Sequence, residues 1–286
     1  MATILLTGAN GTVSAATIAA LKGSGHTLIG LVRDPSKAQH LGIELRMGDL
    51  DRPRTLEGAF DGVDTAWLLA PPGALAPAQS SNALWAARQA KVQHVVRMSA
   101  IGAAHDAPTL NGRLHALSDA ELAASGIPYT ILKPHFFMQN LLMAAGSVAE
   151  QGAIYFALGE GTLPMVDVAD IAASAAQVLR DPAAHAGKTY TLTGKTSVGI
   201  GQVAAAIGEA IGKPVKYVPV PVAAAVESLA KMGLDDFAQV SMRDYFTAYS
   251  RNWASEPTDA VEALTGRQPH SIAEFARQYA SAFGKR

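Results

Sequence analysis

The sequence predicts an α/β fold, a doubly wound parallel sheet with a smaller C-terminal lobe. Three observations carry that reading. Strand-like and helix-like segments alternate through the first half of the chain, which implies right-handed crossovers and a parallel sheet with helices on both faces. A glycine-containing turn falls between the first strand and the first helix. After Lys133 the alternation breaks down. The 286 residues suffice for one large core or a core with a smaller lobe, and 49% hydrophobic against 16% charged residues excludes intrinsic disorder.

The elements follow in order. Ala2–Thr7 is a short apolar run, the first strand, and Gly8–Gly11 turns the chain. The alanine-rich stretch Val13–Lys22 favours a helix, because alanine loses the least side-chain freedom there. Thr27–Val32 is the second strand and Leu41–Met47 the third; Arg54–Phe60 is expected to be a helix, and Thr65–Leu69 the fourth strand. Gln79–Ala90 has helical spacing, Val92–Met98 is the fifth strand, Leu110–Ala124 a helix and Tyr129–Leu132 the sixth strand. Pro71–Gln79 joins a strand to its following helix, which marks a loop over a ligand cleft. Pro134–Ala145 is mixed and holds a short helix. Beyond it the pattern gives helices at Val166–Leu179, Ile200–Ile211, Pro221–Met232, Phe237–Ser250 and Ser271–Phe283, with strands at Lys188–Leu192 and Val215–Val220. The expected division is residues 1–150 and 151–286, with 166–193 returning to the first sheet.

Composition excludes several classes of function. Lys and Arg total 23 against 24 Asp and Glu, a net charge of -1, so nucleic acid and anionic membrane are poor partners. Cysteine is absent, which removes disulfides, cysteine-ligated zinc, iron–sulfur clusters and thiol catalysis, and no metal site is expected. No apolar run is long enough to span a bilayer, and the chain opens into a strand rather than a basic leader, so a cytoplasmic protein is expected. A homo-oligomer is compatible with all of this.

The segment Thr7-Gly8-Ala9-Asn10-Gly11-Thr12-Val13-Ser14 carries the strongest signal. At a first strand–helix turn, glycines let the backbone approach a pyrophosphate, which sits on the free N–H groups and positive end of the helix. The bland alternative is a tight turn with no ligand. This turn resembles that of the short-chain dehydrogenase/reductase superfamily, in the Rossmann-type fold. Leu31-Val32-Arg33-Asp34-Pro35-Ser36-Lys37, Gly48-Asp49-Leu50, Tyr129-Thr130-Ile131-Leu132-Lys133-Pro134 with Phe137 and Asn140, and Val166-Asp167-Val168-Ala169-Asp170-Ile171-Ala172 are similar to its atypical, NmrA-like branch. Members of that branch include NAD(P)H-dependent quinone, triphenylmethane-dye and isoflavone-type reductases, and redox-sensing regulators. The chain departs from the pattern at Ser14, where the third glycine is expected. A serine there implies a wider helix–strand fit or a hydroxyl bonded to the backbone.

The end of the second strand bears on the cofactor. An acid there accepts from the ribose 2′-OH of NAD, whereas this chain has Arg33, whose guanidinium suits a 2′-phosphate, with Lys37 nearby. Both could instead be solvated partners of Asp34. The match favours NADP(H). Thr7, Gly8, Asn10, Gly11, Thr12 and Val13 are the expected pyrophosphate turn. By resemblance, Asp49 and Leu50 flank the adenine, and Ala70, Pro71 and Pro72 line the nicotinamide ribose. Ser99 and Pro134, at the ends of the fifth and sixth strands, complete the expected cofactor set; Ser99 otherwise bonds substrate or caps its loop.

The superfamily's catalytic Tyr-x-x-x-Lys dyad lies on a helix, where i and i+4 are neighbours. Tyr129-x-x-x-Lys133 matches the letters but lies on a predicted strand, where four residues span about 13 Å. By resemblance the dyad positions fall near Asn111 and His115. His115 is the catalytic candidate, because imidazole titrates near neutral pH; a half-buried pair with Asp119 is the competing reading. His135, Phe136, Phe137 and Asn140 are candidate substrate contacts, with Met138, Trp85 and Met165 as further apolar wall; core packing is the alternative for each. His105 is read as an exposed loop residue.

Reducing an isolated carbonyl needs a strong proton donor, whereas a quinone, enone or cationic dye needs mainly a positioned hydride. The missing dyad therefore points to an NADPH-dependent reductase acting on a small conjugated acceptor. An NADP(H)-binding redox sensor without catalysis is the rival, and steady-state NADPH oxidation separates the two.

Overall fold

The computed structural model describes residues 1–284. Its elements are β1 (Thr3–Thr7), α1 (Thr12–Leu21), β2 (Thr27–Val32), β3 (Glu44–Met47), β4 (Thr65–Leu68), α2 (Ala76–Gln89), β5 (His94–Met98), α3 (Leu110–Ala124) and β6 (Tyr129–Pro134). They continue as α4 (Ala145–Gln151), β7 (Ala153–Phe156), α5 (Val168–Arg180), β8 (Thr189–Leu192), α6 (Ile200–Ile211), β9 (Lys216–Pro219), α7 (Val222–Lys231), α8 (Asp236–Tyr249), α9 (Ala260–Thr265), α10 (Ile272–Gln278) and α11 (Ala280–Phe283).

The chain forms two compact units. The first holds Met1–Ala107, Asn111–Pro134 and Val168–Thr191; the second holds Pro108–Leu110, His135–Asp167 and the described residues 192–284. The seven-stranded sheet runs β3-β2-β1-β4-β5-β6-β8, and the pairings from β3 through β6 are parallel. Strand order therefore reverses between β1 and β4. In open α/β sheets the crevice beyond the carboxyl ends of the strands at such a reversal takes the ligand. The strands are buried on both faces and pack Leu5, Ile29, Leu68 and Val95 against Leu84 and Leu122 of the helices, which explains their unbroken apolar runs.

The second unit has its own core, in which Met138, Leu141, Leu163, Ile207, Tyr249 and Phe275 pack together. Its two-stranded sheet pairs β7 with β9 in parallel. The packing of Met138, Leu141 and Val148 in this core draws the chain away from the first unit at Pro134 rather than at residue 150.

Several elements differ from the sequence reading. Arg54–Phe60 is not an α-helix: a 3-10 turn covers Pro53–Leu56, and Gly58 then adopts φ +73°, which ends it. β7 was not foreseen, because four residues give little pattern and its partner lies some sixty residues on. α9 was also unforeseen, and Ser271–Phe283 breaks at Tyr279 into α10 and α11. No helix among the described residues is long and apolar enough to cross a membrane.

Candidate active site

The turn after β1 is built around Gly8, whose φ of +57° suits glycine and strains any other residue. The Gly11 N–H donates to Gly8 O at 2.8 Å, and a Cβ on Gly11 would lie 3.1 Å from that oxygen. Gly11 caps α1 without a side-chain bond, and no acid stands in the first turn. Asn10, Gly11 and Thr12 are exposed. The result is a bare, positive helix start that a Cβ would crowd, and a dinucleotide pyrophosphate fits such a cradle. Thr7 serves the frame rather than a ligand: its buried hydroxyl donates to Leu69 O and accepts from Leu69 N–H, both at 2.8 Å. Val13 is buried as well, so it offers its backbone only.

Ser14 resolves its own question. Its fully buried hydroxyl donates to Thr7 O at 2.9 Å and accepts from the Trp67 indole N–H at 3.0 Å. The serine thus ties α1 to β1 and β4 where a glycine would only have let them approach.

At the end of β2, Arg33 is exposed and makes no ion pair among the described residues. Lys37 lies 3.7 Å from Asp34 in an exposed pair. Asp34 accepts from the Ser36 hydroxyl and N–H, which hold its carboxyl below the usual range. Asp34 is thus occupied as a cap, and Arg33 is the exposed cation beside it without an ion pair among the described residues. Asp49 is half-buried, its N–H donating to Thr55 Oγ1 at 2.8 Å. Leu50 is packed in the core and offers little side-chain surface to an adenine. Ala70 is half-buried, and Pro71 and Pro72 are exposed in the loop after β4.

The first unit also holds a charged cluster that the sequence reading did not assemble. Arg97 of β5 donates to Asp119 Oδ1 of α3 at 2.5 Å, with Arg97 only 3% exposed. Ser99 donates to Asp119 Oδ2 at 2.8 Å, and Lys133 Nζ lies 3.3 Å from the same oxygen and 3.0 Å from Ala103 O. His115 Nδ1 sits 3.3 Å from Arg97. Burial, then the charges of Arg97 and Lys133, push His115 down to about 3. Asp119 therefore serves Arg97, Ser99 and Lys133, and the pairing of His115 with Asp119 gives way to one with Arg97. Ser99 is spent on this network rather than on a ligand. A legible signal existed: an arginine inside an apolar central strand demands a buried acid. Tyr129 and Lys133 both lie on β6, a strand, and so form no dyad. Pro134, buried, closes that strand.

In the second unit His135 is 1% exposed. Its Nδ1 accepts from Phe136 N–H at 2.7 Å, Nε2 lies 3.1 Å from Ala254 O, and the ring stacks on Tyr249 at 5.4 Å. Burial pushes it down to about 4. Both nitrogens are used, so His135 is a packing residue and not a substrate contact. Met138 and Met165 are core residues too, whereas Trp85 is exposed on α2 in the first unit. Phe136 and Phe137 are half-buried and Asn140 is exposed. Phe136 meets Phe156 edge to face. His105 is exposed, as its loop position implies.

The model of the NmrA-like family matches residues 1–276. The chain is 36% identical to NAD(P)H azoreductase of Xenophilus azovorans over 287 residues, covering 98% of this chain and 99% of that protein. The NADPH-dependent quinone oxidoreductase of Escherichia coli, solved with NADPH, is 29% identical with a TM-score of 0.87, covering 96% of this chain and 99% of that one. The triphenylmethane reductase of Citrobacter sp., solved with NADP(H), is 26% identical with a TM-score of 0.87 over 97% of this chain and 99% of that one. With a phosphate cradle at the first strand–helix turn, a sheet that reverses beside it, and a match spanning nearly every residue, this chain belongs to the NmrA-like family.

Proposed function

We propose that this protein is an NADPH-dependent reductase that passes a hydride to a conjugated acceptor, a quinone or a dye. One observation carries the reading. The bare start of α1 and an exposed Arg33, with no ion pair among the described residues, suit an NADP(H) cradle in a chain 36% identical, over 98% of its length, to an NAD(P)H azoreductase.

NADPH, when bound, supplies the hydride. The chain's task is to bind, orient and keep water out. The N–H groups at the start of α1 take the pyrophosphate, and Arg33 takes the 2′-phosphate. Asp49 is proposed beside the adenine, and Ala70, Pro71 and Pro72 beside the nicotinamide ribose. A cationic triphenylmethane dye takes the hydride alone and becomes neutral, whereas a quinone takes one hydride and one proton. Neither product is an isolated alkoxide, which suits a site whose α3 carries Asn111 and His115 in place of a phenol and a lysine. Phe136, Phe137 and Asn140 are the proposed acceptor contacts. A cytoplasmic location is part of the proposal, because NADPH is available there.

NADPH oxidation followed with quinones, azo dyes and triphenylmethane dyes tests the assignment, with a saturated ketone as control. Turnover is expected with conjugated acceptors and not with the ketone. Tight NADPH binding without oxidation by any acceptor would overturn the enzyme and favour a sensor.

A further inference from the structure

Arg97 has a second neighbour besides its carboxylate, and the chemistry of that contact leaves one assignment. Its guanidinium presents only donors and keeps its proton at any working pH. One nitrogen is committed to Asp119 Oδ1, and another lies 3.3 Å from His115 Nδ1. Two N–H groups cannot face each other across that distance without repulsion. Nδ1 must therefore be the bare nitrogen, and the ring proton must sit on Nε2.

The surrounding charges hold the ring in this state. Arg97 faces it from β5 and Lys133 from β6; on its own helix Asp119 supplies one negative charge, already shared by Arg97, Ser99 and Lys133. Glu121 reinforces the charge of Arg97 rather than that of the ring. Two cations against one carboxylate leave the cluster positive before the imidazole is protonated. An imidazolium would add a third positive charge in a buried setting, which is why the ring is held far below its ordinary titration range. A neutral imidazole with a fixed N–H is an electrophile that polarises an acceptor oxygen or nitrogen without giving up its proton.

We propose that Arg97, anchored by Asp119, is a positioning residue that fixes His115 as the neutral Nε2–H tautomer, a constant hydrogen-bond donor for the conjugated acceptor rather than a titrating acid. The acceptor half of this inference rests on the reductase reading; the tautomer does not. It follows that the proton a quinone needs does not come from His115 and that His115 contributes no limb to the pH–rate profile.

Long-range imidazole-nitrogen NMR on the full-length protein reads the tautomer directly, with His115→Gln assigning the signal. His115 is expected to show a protonated Nε2 and a bare Nδ1, unchanged from about pH 5 to about pH 9. In Arg97→Gln the amide can either donate or accept, so both tautomers are expected and the ring is expected to titrate within that range. With a saturating quinone, kcat of Arg97→Gln is expected to fall about ten-fold, less than the roughly 10²–10³ for outright removal of an oriented donor because the imidazole is still present, and to acquire a pH limb that the parent lacks. A merely structural arginine would lower stability and leave tautomer and pH profile alone. A proton on Nδ1 in the parent, or titration of its His115 between about pH 5 and about pH 8, overturns the proposal even if no variant folds. Unchanged tautomer and pH profile in a folded Arg97→Gln overturns it too. A parent that shows the expected tautomer yet oxidises no NADPH sinks the reductase reading instead, so the two failures are distinct.

Discussion

Arg33 and Asp34 are neighbours with opposite fates. The acid is bent back onto Ser36, and the base beside it has no protein partner among the described residues. On the proposed reading, cofactor choice rests on one exposed guanidinium, and Lys37 adds less because Asp34 already holds it. Arg33→Ala is expected to weaken NADPH binding by about 1.5–3 kcal/mol, the scale of a charge-assisted bond, and to leave NADH almost unaffected. Fluorescence titration with both cofactors measures the difference. Equal affinities for the two in the parent protein would refute the assignment. Histidines show the same dependence on environment: His135 and His115 look alike in sequence, yet one is stacked in a core and the other sits against an arginine.

At the scale of elements, the contact between α1 and the sheet shows how a departure from a motif is accommodated. Ser14 brings a hydroxyl into a fully buried position, which would cost stability unless both its donor and acceptor capacities were used. Thr7 O takes the proton and the Trp67 indole supplies the other bond. Ser14→Ala removes both and leaves the indole N–H without an acceptor, so a loss of about 1–3 kcal/mol is expected. Urea unfolding of the variant tests this, and a change within about 0.5 kcal/mol would mean the pair contributes nothing net. Arg54–Phe60 teaches the converse. Its residues suit a helix, but Gly58 in the left-handed region stops one after a single turn.

For the whole molecule, three histidines with depressed titration, the buried His94 and His135 and the half-buried His115, contribute to the response to acid. Burial, with His185 nearby, lowers His94 to about 4; burial with Arg97 and Lys133 lowers His115 to about 3; burial lowers His135 to about 4. Their unfolded value is about 6.5. Between those limits the unfolded chain binds more protons than the folded one, so stability rises with pH across that window and falls as acid is added. Each histidine contributes a slope of about 1 kcal/mol per pH unit near pH 5. Two of the three lie in the first unit and one in the second, so both units are expected to lose stability from about pH 6.5 downward. Urea midpoints measured through that range check the sign, and a midpoint that rises on acidification would contradict it.

The sequence by itself determined the individual strands, the glycine turn with its bare helix start, and the exposed arginine that follows the second strand. Each is a local matter: an apolar strand, a glycine turn and an uncapped helix start are contiguous in the chain, and their physics needs no distant partner. The charged cluster is different. Arg97, Ser99, Asp119 and Lys133 come from two strands and a helix, and nothing in their spacing shows that one carboxylate serves three of them. The same holds for His135, whose burial depends on Tyr249 and Ala254 more than a hundred positions on. Electrostatics at a buried site is set by which groups the fold brings within a few ångströms, and only tertiary structure decides that.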